Sequence, residues 1–150
     1  MSDARQGRQQ SLAPLRLALG AVYFYFGLLK FYPDLSPAEL LATQTIMRLS
    51  LHSIGPRTVM LWLALLECTI GAALLLNVLV RPALWLFLIH IAGTFVPLFV
   101  LPEFMFKFVP FAPTIEGEFI FKNLVFVAVG WVLLRQAPPH SQSEKQVTIS

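Results

Sequence analysis

The stretch WLALLECTIGAALLLNVLVR, residues 62–81, decides the fold. It is apolar enough to lie in a lipid bilayer, yet it carries Glu67 near its middle. An acidic side chain at that depth costs about 3 kcal/mol on insertion scales, so it normally faces a bundle interior or a watery cavity and has a partner there. The stretch therefore predicts a membrane helix that packs against other helices.

The composition of the chain excludes a water-soluble domain. Apolar residues make up 57% of its 150 residues and charged residues 13%, with a mean hydropathy of +0.71. Soluble domains carry about 25% charged residues, and a domain of this size leaves much of its surface exposed. The basic residues are scattered singly at the ends of apolar runs, which is typical of bilayer anchors and not of a nucleic-acid surface. We therefore predict an integral membrane protein in contact with lipid and not with nucleic acid.

Four apolar runs are long enough to cross a bilayer. They comprise residues 12–31, 57–80, 82–101 and 116–134. The predicted fold is all-α: a four-helix transmembrane bundle occupying residues 12–135, preceded by a disordered lead (1–11) and followed by a disordered tail (136–150). The first run lacks a small-residue cleavage pattern, so we interpret it as an uncleaved span.

A fifth helix is predicted between the first two spans. Ser36 and Glu39 have the spacing of a capping box, with Pro37 at the first helical position. The helix over residues 37–50 is too short to span and ends before Gly55 and Pro56. It lies either at the membrane interface or against the end of the bundle.

Polar and small residues follow one face of the first span. Arg16, Gly20, Tyr23, Gly27 and Lys30 succeed one another at helical steps of four and three. Glycines on such a face allow a neighbouring helix to approach closely. Two alternatives stay open for the lysine: it faces this interior, or it reaches the interface and pairs with an acid there.

The third span offers a histidine, and the link before it is short. His90 shares a face with Thr94 and Pro97, and the proline is expected to kink the helix. A metal site would need further ligands at this depth, so we interpret His90 as a hydrogen-bonded bundle residue and predict no metal. The tight link around Arg81 and Pro82 predicts that spans two and three form an antiparallel hairpin.

The segment LPEFMFKFVPFAPTIEGE, residues 101–118, is rich in phenylalanine and proline. Aromatic residues prefer the membrane interface, so this loop is expected to dip against the bilayer. In the span that follows, Glu118 and Lys122 have the spacing that favours an ion pair on a helix. Asn123 shares a face with Gly130.

Depth along the helices selects a partner for Glu67. At a rise of about 1.5 Å per residue, Glu67 lies roughly 16 to 20 Å from the cytoplasmic end, Lys122 roughly 18 to 20 Å and His90 roughly 12 Å. We therefore predict an intramembrane polar cluster in which Glu67 pairs with Lys122. The predicted members of the cluster are Glu67, Lys122, Asn123 and His90. The flanking polar or anchoring residues are Arg16, Lys30 and Arg81. The catalytic residues, if there are any, stay unknown.

Three short motifs, taken together, resemble the DoxX-like family of small membrane proteins. The opening R-x-x-x-G…G-x-x-K-F is carried by Arg16, Gly20, Gly27, Lys30 and Phe31. The middle E-x-x-x-G…R and the closing G-x-x-x-x-K-N-L are carried by Glu67, Gly71 and Arg81 and by Gly117, Lys122, Asn123 and Leu124. His90 and the long aromatic loop have no counterpart in the family pattern.

The resemblance implies a bacterial or archaeal inner-membrane protein with four helices. Some family members are small membrane subunits of quinone-linked oxidoreductases that act on thiosulfate, and others associate with redox partners. We expect a multi-pass inner-membrane location. Cytoplasmic termini are expected from the slightly larger number of Lys and Arg residues on that side.

The preferred functional hypothesis is a quinone-interacting subunit, or one that serves a redox partner. The chain has one cysteine, Cys68, so it cannot run dithiol chemistry by itself, and it shows no haem, flavin or metal motif. Quinone is the possible cofactor, and electrons must come from a redox protein partner. The alternatives are a non-catalytic membrane scaffold and a small transporter or proton-handling protein, with oligomerisation possible in each case.

Overall fold

The computed structural model describes residues 2–36, 39–51 and 53–137. Seven helices and a two-stranded sheet occupy these residues. The helices are α1 (Ser2–Leu29), α2 (Glu39–Leu49), α3 (Pro56–Leu75), α4 (Val80–Gly93), α5 (Pro97–Val100), α6 (Pro102–Met105) and α7 (Ile115–Gln136). Between α6 and α7, strand β1 (Phe106–Phe108) pairs antiparallel with β2 (Ala112–Pro113).

Within this part of the chain, four helical stretches are long and apolar enough to cross a membrane. They are Leu12–Leu29, Pro56–Leu75, Val80–Val100 and Ile115–Gln136. Many of their large apolar side chains point outward, for example Trp62 at 67% exposure and Ile89 at 67%. Such an exterior suits lipid and not water. The prediction of an all-α, four-helix multi-pass membrane protein with a short additional helix is confirmed.

Small residues let α1 and α3 pack closely. A Cβ added to Gly71 would lie 2.4 Å from the backbone nitrogen of Phe24, so only glycine fits at that crossing. Farther along, α4 packs on α7, where Gly130 lies against the ring of Phe87. The core between the helices is aliphatic and aromatic, with Leu74 and Leu84 fully buried.

The short helix α2 packs on α3 and α5 at the end of the bundle that also holds the sheet. It buries Thr43 and Thr45, whose hydroxyls donate to the carbonyls of Glu39 and Leu41, while Leu40 and Leu49 are more than half exposed. The helix is therefore confirmed from residue 39. Its predicted residues 37 and 38 lie outside the described residues.

Several boundaries differ from the sequence predictions. Helix α1 extends back to Ser2, through the segment predicted to be a disordered lead. The link between spans two and three is formed by residues 76–79, where Asn77 and Leu79 adopt left-handed backbone angles, whereas Pro82 lies in the first turn of α4. Proline is tolerated in a first helical turn because its missing N–H would have no intrahelical partner there.

At the predicted kink, α4 ends at Gly93 and α5 begins at Pro97. The residues between them form turns in which Phe95 and Val96 donate to the carbonyls three residues earlier, and one candidate span, Val80–Val100, covers both helices. At the C-terminal end, α7 includes Gln136, the first residue of the predicted tail, while residues 138–150 of that tail lie outside the described residues.

Candidate functional site

A buried ion pair joins α1 to α3. Lys30 Nζ lies 2.6 Å from Glu67 Oε2, and the two side chains are only 6% and 10% exposed. The ammonium also lies 3.4 Å from the carbonyl oxygen of Phe26, one turn earlier on α1. The cost of burying a carboxylate in the membrane is therefore offset by a cation.

Gly27 makes this pairing possible. A Cβ at this position would lie 2.8 Å from the backbone nitrogen of Cys68 and 3.0 Å from the Cβ of Glu67. The absence of a side chain brings α1 against α3 at the level of the carboxylate. Because helical side chains point back toward the N-terminus, the lysine three residues later is directed at this level.

Two further side chains extend the ion pair into a chain of polar groups. His90 Nε2 on α4 lies 3.5 Å from Glu67 Oε1, and the Tyr23 hydroxyl on α1 lies 3.1 Å from His90 Nδ1. The first of these distances is longer than an ideal hydrogen bond. Tyr23 also packs edge-on against the ring of Phe87, with centroids 4.8 Å apart, which holds the phenol in place.

Donor and acceptor roles along this chain are mutually consistent. If the Tyr23 hydroxyl donates to Nδ1 of a neutral His90, the imidazole proton lies on Nε2 and faces the carboxylate. Lys30 donates to the other carboxylate oxygen. We name Tyr23, Lys30, Glu67 and His90 the polar chain. It holds one cation, one anion and a neutral imidazole that can accept a proton on one side and release one on the other.

The predicted pairing of Glu67 with Lys122 is wrong. Lys122 Nζ lies 3.5 Å from Glu118 Oε2 on the same helix, and the two side chains are 66% and 59% exposed. The helical pair predicted for these residues is thereby confirmed. Matching depth was not sufficient to place the lysine, because Lys122 lies on the outer surface of α7 and Lys30 reaches the carboxylate from α1 at a similar depth.

Asn123 faces inward, but it forms a hydrogen bond outside the polar chain. Its amide donates to Thr94 Oγ1 over 2.8 Å, and Thr94 donates to the carbonyl of Ile91 over 2.6 Å. These bonds tie α7 to the end of α4. Of the predicted cluster, the structure thus brings together Glu67 and His90, and it places Asn123 in a separate hydrogen-bonded group.

Arg16 and Arg81 lie at the end of the bundle away from α2 and the sheet. The Arg16 guanidinium donates to the carbonyl of Leu74, one of the last carbonyls of α3, which lacks an intrahelical partner. A cation is favourable at a helix C-terminus, so this contact is a cap. Arg81 is exposed in the first turn of α4.

Tyr23 was missed as a site residue, and Lys30 was classed as a flanking residue. The signal for both was present in the sequence, because each shares the glycine face of the first span with Gly27. From Gly20 onward that face is buried: Tyr23 is 7% exposed and Lys30 5%.

A second charged contact lies outside the membrane-spanning segments. Arg48 of α2 donates to Glu103 Oε1 over 2.9 Å and to the carbonyl of Val100 over 2.6 Å. A hydrogen bond from its own backbone N–H, together with the Arg48 guanidinium, lowers the pKa of Glu103. The contact links α2 to the end of α5 and to α6.

Comparison with known proteins leaves the family unassigned. No protein-family model, no curated protein and no solved structure matches this chain. No group of three or more potential metal-binding side chains occurs within the described residues.

Proposed function

We propose that this protein is an inner-membrane subunit that handles protons for a redox partner, with a quinone as the electron acceptor of the assembly. The observation that carries the proposal is the polar chain, which crosses three helices inside the membrane. Reduction of a quinone takes up protons as well as electrons. A titratable chain within the bilayer is typical of proton relays.

The polar chain offers a path for one proton. The Tyr23 hydroxyl passes its proton to His90 Nδ1 while taking up an incoming proton, and His90 releases its Nε2 proton to Glu67 Oε1. Glu67 is then a neutral acid 2.6 Å from the Lys30 cation, and the polar chain carries one extra positive charge until Glu67 releases the proton. Electrons come from the partner, because the chain itself offers no redox group suited to this role.

The polar chain offers little surface to a quinone ring. Lys30 and Glu67 are nearly buried, and two hollows of about 440 and 120 Å³ are lined by other side chains. We therefore place the quinone at the partner or at its boundary with this subunit. The residues of the polar chain act on protons only.

The resemblance to DoxX-like proteins supports the same proposal. Motif positions Gly27, Lys30, Glu67 and Gly71 meet at the crossing of α1 and α3. Family membership, an inner-membrane location and cytoplasmic termini are parts of the proposal. Cysteine labelling from each side of the membrane tests the location of the termini.

The test removes one hydroxyl from the polar chain. Tyr23→Phe breaks the contact with His90 while keeping the ring, and Tyr25→Phe is the matched control because Tyr25 is 59% exposed on the same helix. Membranes of a deletion strain, complemented with each variant, are assayed for quinone-dependent electron flow. His90→Gln should lower the flow on the order of 100-fold, as expected for loss of a general acid–base group. Tyr23→Phe should lower it by a smaller factor, and the control should leave it unchanged.

A scaffold without catalytic activity is the alternative, and one observation favours it. Every member of the polar chain has a partner, so the same contacts can hold α1, α3 and α4 together. A scaffold predicts that each variant loses electron flow only in proportion to the folded protein left in the membrane. Unchanged electron flow per folded molecule in both Tyr23→Phe and His90→Gln would refute the proton-handling proposal.

A further inference from the structure

An open hollow on α7 combines apolar walls with a pair of opposite charges. It has a volume of about 440 Å³ and is lined by Pro113, Glu118, Phe121, Lys122 and Val125. Glu118 and Lys122 are both more than half exposed, although they belong to a membrane-spanning helix. Neither the polar chain nor its proposed role uses this site. We name it the α7 hollow.

An apolar crevice lies beside this hollow, between α1 and α7. It has a volume of about 120 Å³, and its walls include Ala18, Leu19 and Val22 of α1 and Val125 and Val129 of α7. Val125 lines both spaces, so the two are neighbours along α7. The crevice exists because α1 packs chiefly on α3 and α7 chiefly on α4, which leaves the α1–α7 contact loose.

The charged pair lies within the span, but its charged groups can reach the head-group region of a bilayer. Lys122 lies seven residues after Ile115, or about 10 Å along α7 at a rise of 1.5 Å per residue. The hydrocarbon core is about 30 Å thick, close to the length of this helix, so the start of α7 lies near its edge. A lysine stem can carry the ammonium from this depth to the head groups.

We propose that the α7 hollow and the α1–α7 crevice together bind one aminophospholipid of the phosphatidylethanolamine type. Its phosphate pairs with the Lys122 ammonium, its primary ammonium pairs with the Glu118 carboxylate, and one acyl chain occupies the crevice. The proposal is independent of the function assigned to the polar chain.

Charge complementarity selects this head group over the others of a bilayer. Residues four apart on a helix have Cβ atoms about 6 Å apart, which suits two opposite charges separated by an ethylene link. An anionic phosphatidylglycerol would leave Glu118 beside a negative charge. Phosphatidylcholine carries a quaternary nitrogen without N–H donors, so it cannot hydrogen-bond to the carboxylate. Glu118 and Lys122 are 59% and 66% exposed, so each has room to bond to a zwitterion in addition to its partner.

The experiment measures lipid retention by native mass spectrometry. The full chain is purified in detergent and mixed with equal amounts of phosphatidylethanolamine, phosphatidylglycerol and phosphatidylcholine that share the same acyl chains. The ethanolamine lipid should be retained most strongly. Glu118→Gln and Lys122→Gln should each weaken its retention on the order of tenfold, since each removes one charge-assisted hydrogen bond.

Matched variants separate a site from general surface effects. Glu116→Gln removes an exposed acid that does not line the α7 hollow and should leave retention unchanged. Ala18→Phe fills the crevice and should abolish retention, while Ala21→Phe adds the same ring to an exposed position of α1 outside it. Thermal unfolding of each variant shows whether it is folded.

Three results would overturn the proposal. Equal retention of the choline and ethanolamine lipids would show that the ammonium is not recognised. Stronger retention of the glycerol lipid would show that only the lysine acts. Retention of the ethanolamine lipid by a folded Ala18→Phe variant would show that the acyl chain does not enter the crevice. In any of these cases the polar chain and its proposed role would be unaffected.

Discussion

Two lysine–glutamate pairs of the same chemistry occupy contrasting surroundings in this protein. Lys30 and Glu67 join α1 to α3 over 2.6 Å with almost no exposure. Lys122 and Glu118 lie on one helix at 3.5 Å and are mostly exposed. The first pair depends on Gly27, which lets two helices approach closely, whereas the second requires only the helical repeat.

This difference teaches that surroundings, and not charge alone, determine what an intramembrane ion pair can do. A buried pair has no water to replace a lost partner, so its members depend on each other. An exposed pair near the membrane surface can exchange its partner for water, a head group or another protein. The buried pair is therefore suited to internal proton transfer or structural support, and the exposed one to ligand binding.

The sharpest test of this contrast is removal of one buried partner. Lys30→Met should destabilise the protein by about 3–5 kcal/mol, because it leaves the Glu67 carboxylate buried without a cation. The double variant with Glu67→Leu should recover most of this loss, since replacing both members of a buried pair is often neutral. Thermal unfolding in detergent gives both values and their coupling. Additive losses would show that the two groups do not act as a pair.

The close approach of α1 and α3 can be broken separately from the charges. Gly71→Ala should destabilise by about 2 kcal/mol, because the new Cβ would overlap the backbone of Phe24 and force the helices apart. Gly93→Ala is the matched control, since nothing lies within 4 Å of a Cβ placed there. A loss of stability in the control equal to that in Gly71→Ala would show that the effect comes from glycine itself and not from packing.

The comparison of the two ion pairs also shows which features the sequence can predict. Hydropathy, span lengths and the glycine face of the first span predicted the bundle, because these depend on composition and on the helical repeat alone. The partner of Glu67 depended on how far each helix is rotated about its axis, which depth does not reveal. Depth favoured Lys122, whereas the three-dimensional packing brings Lys30 to the carboxylate.

Part of that rotation could have been inferred from small and polar residues. On α7, Gly117, Asn123 and Gly130 all face inward, and Gly117 and Gly130 are buried, which leaves the neighbouring Lys122 outside. Pro97 predicted the irregularity between α4 and α5, whereas the turn at residues 76–79 was harder to predict. Left-handed backbone at Leu79 runs against the preference of a bulky residue and follows from the packing of the helices that it connects.

The exposed pair should tolerate what the buried pair does not. Lys122→Met is expected to change the unfolding free energy by less than about 1 kcal/mol, as is usual for exposed helical ion pairs. The measurement is the same thermal unfolding in detergent, run beside Lys30→Met. If the two variants were equally destabilised, the outer surface of α7 would have to be covered by a protein partner or a second copy of the chain.

The smallest expected effect concerns Arg48 and Glu103, the charged pair outside the spans. Because the pKa of Glu103 is lowered in the folded protein, its contribution to stability is present above the unfolded pKa and is lost as the pH falls through the folded value. The wild-type protein should therefore unfold at a slightly higher temperature than Glu103→Gln at neutral pH. This difference should begin to shrink below pH 4.5, the ordinary pKa of the carboxyl, and should vanish below the lowered folded pKa. Thermal unfolding of both proteins at the two pH values provides the measurement.

Arg48→Met provides the control. With this substitution in both proteins, the difference in their unfolding temperatures at neutral pH should also shrink, because the guanidinium that favours the carboxylate is gone. A gap that is the same in acid and at neutral pH would show that Glu103 acts through packing, and that the link between α2 and the bundle does not depend on its charge.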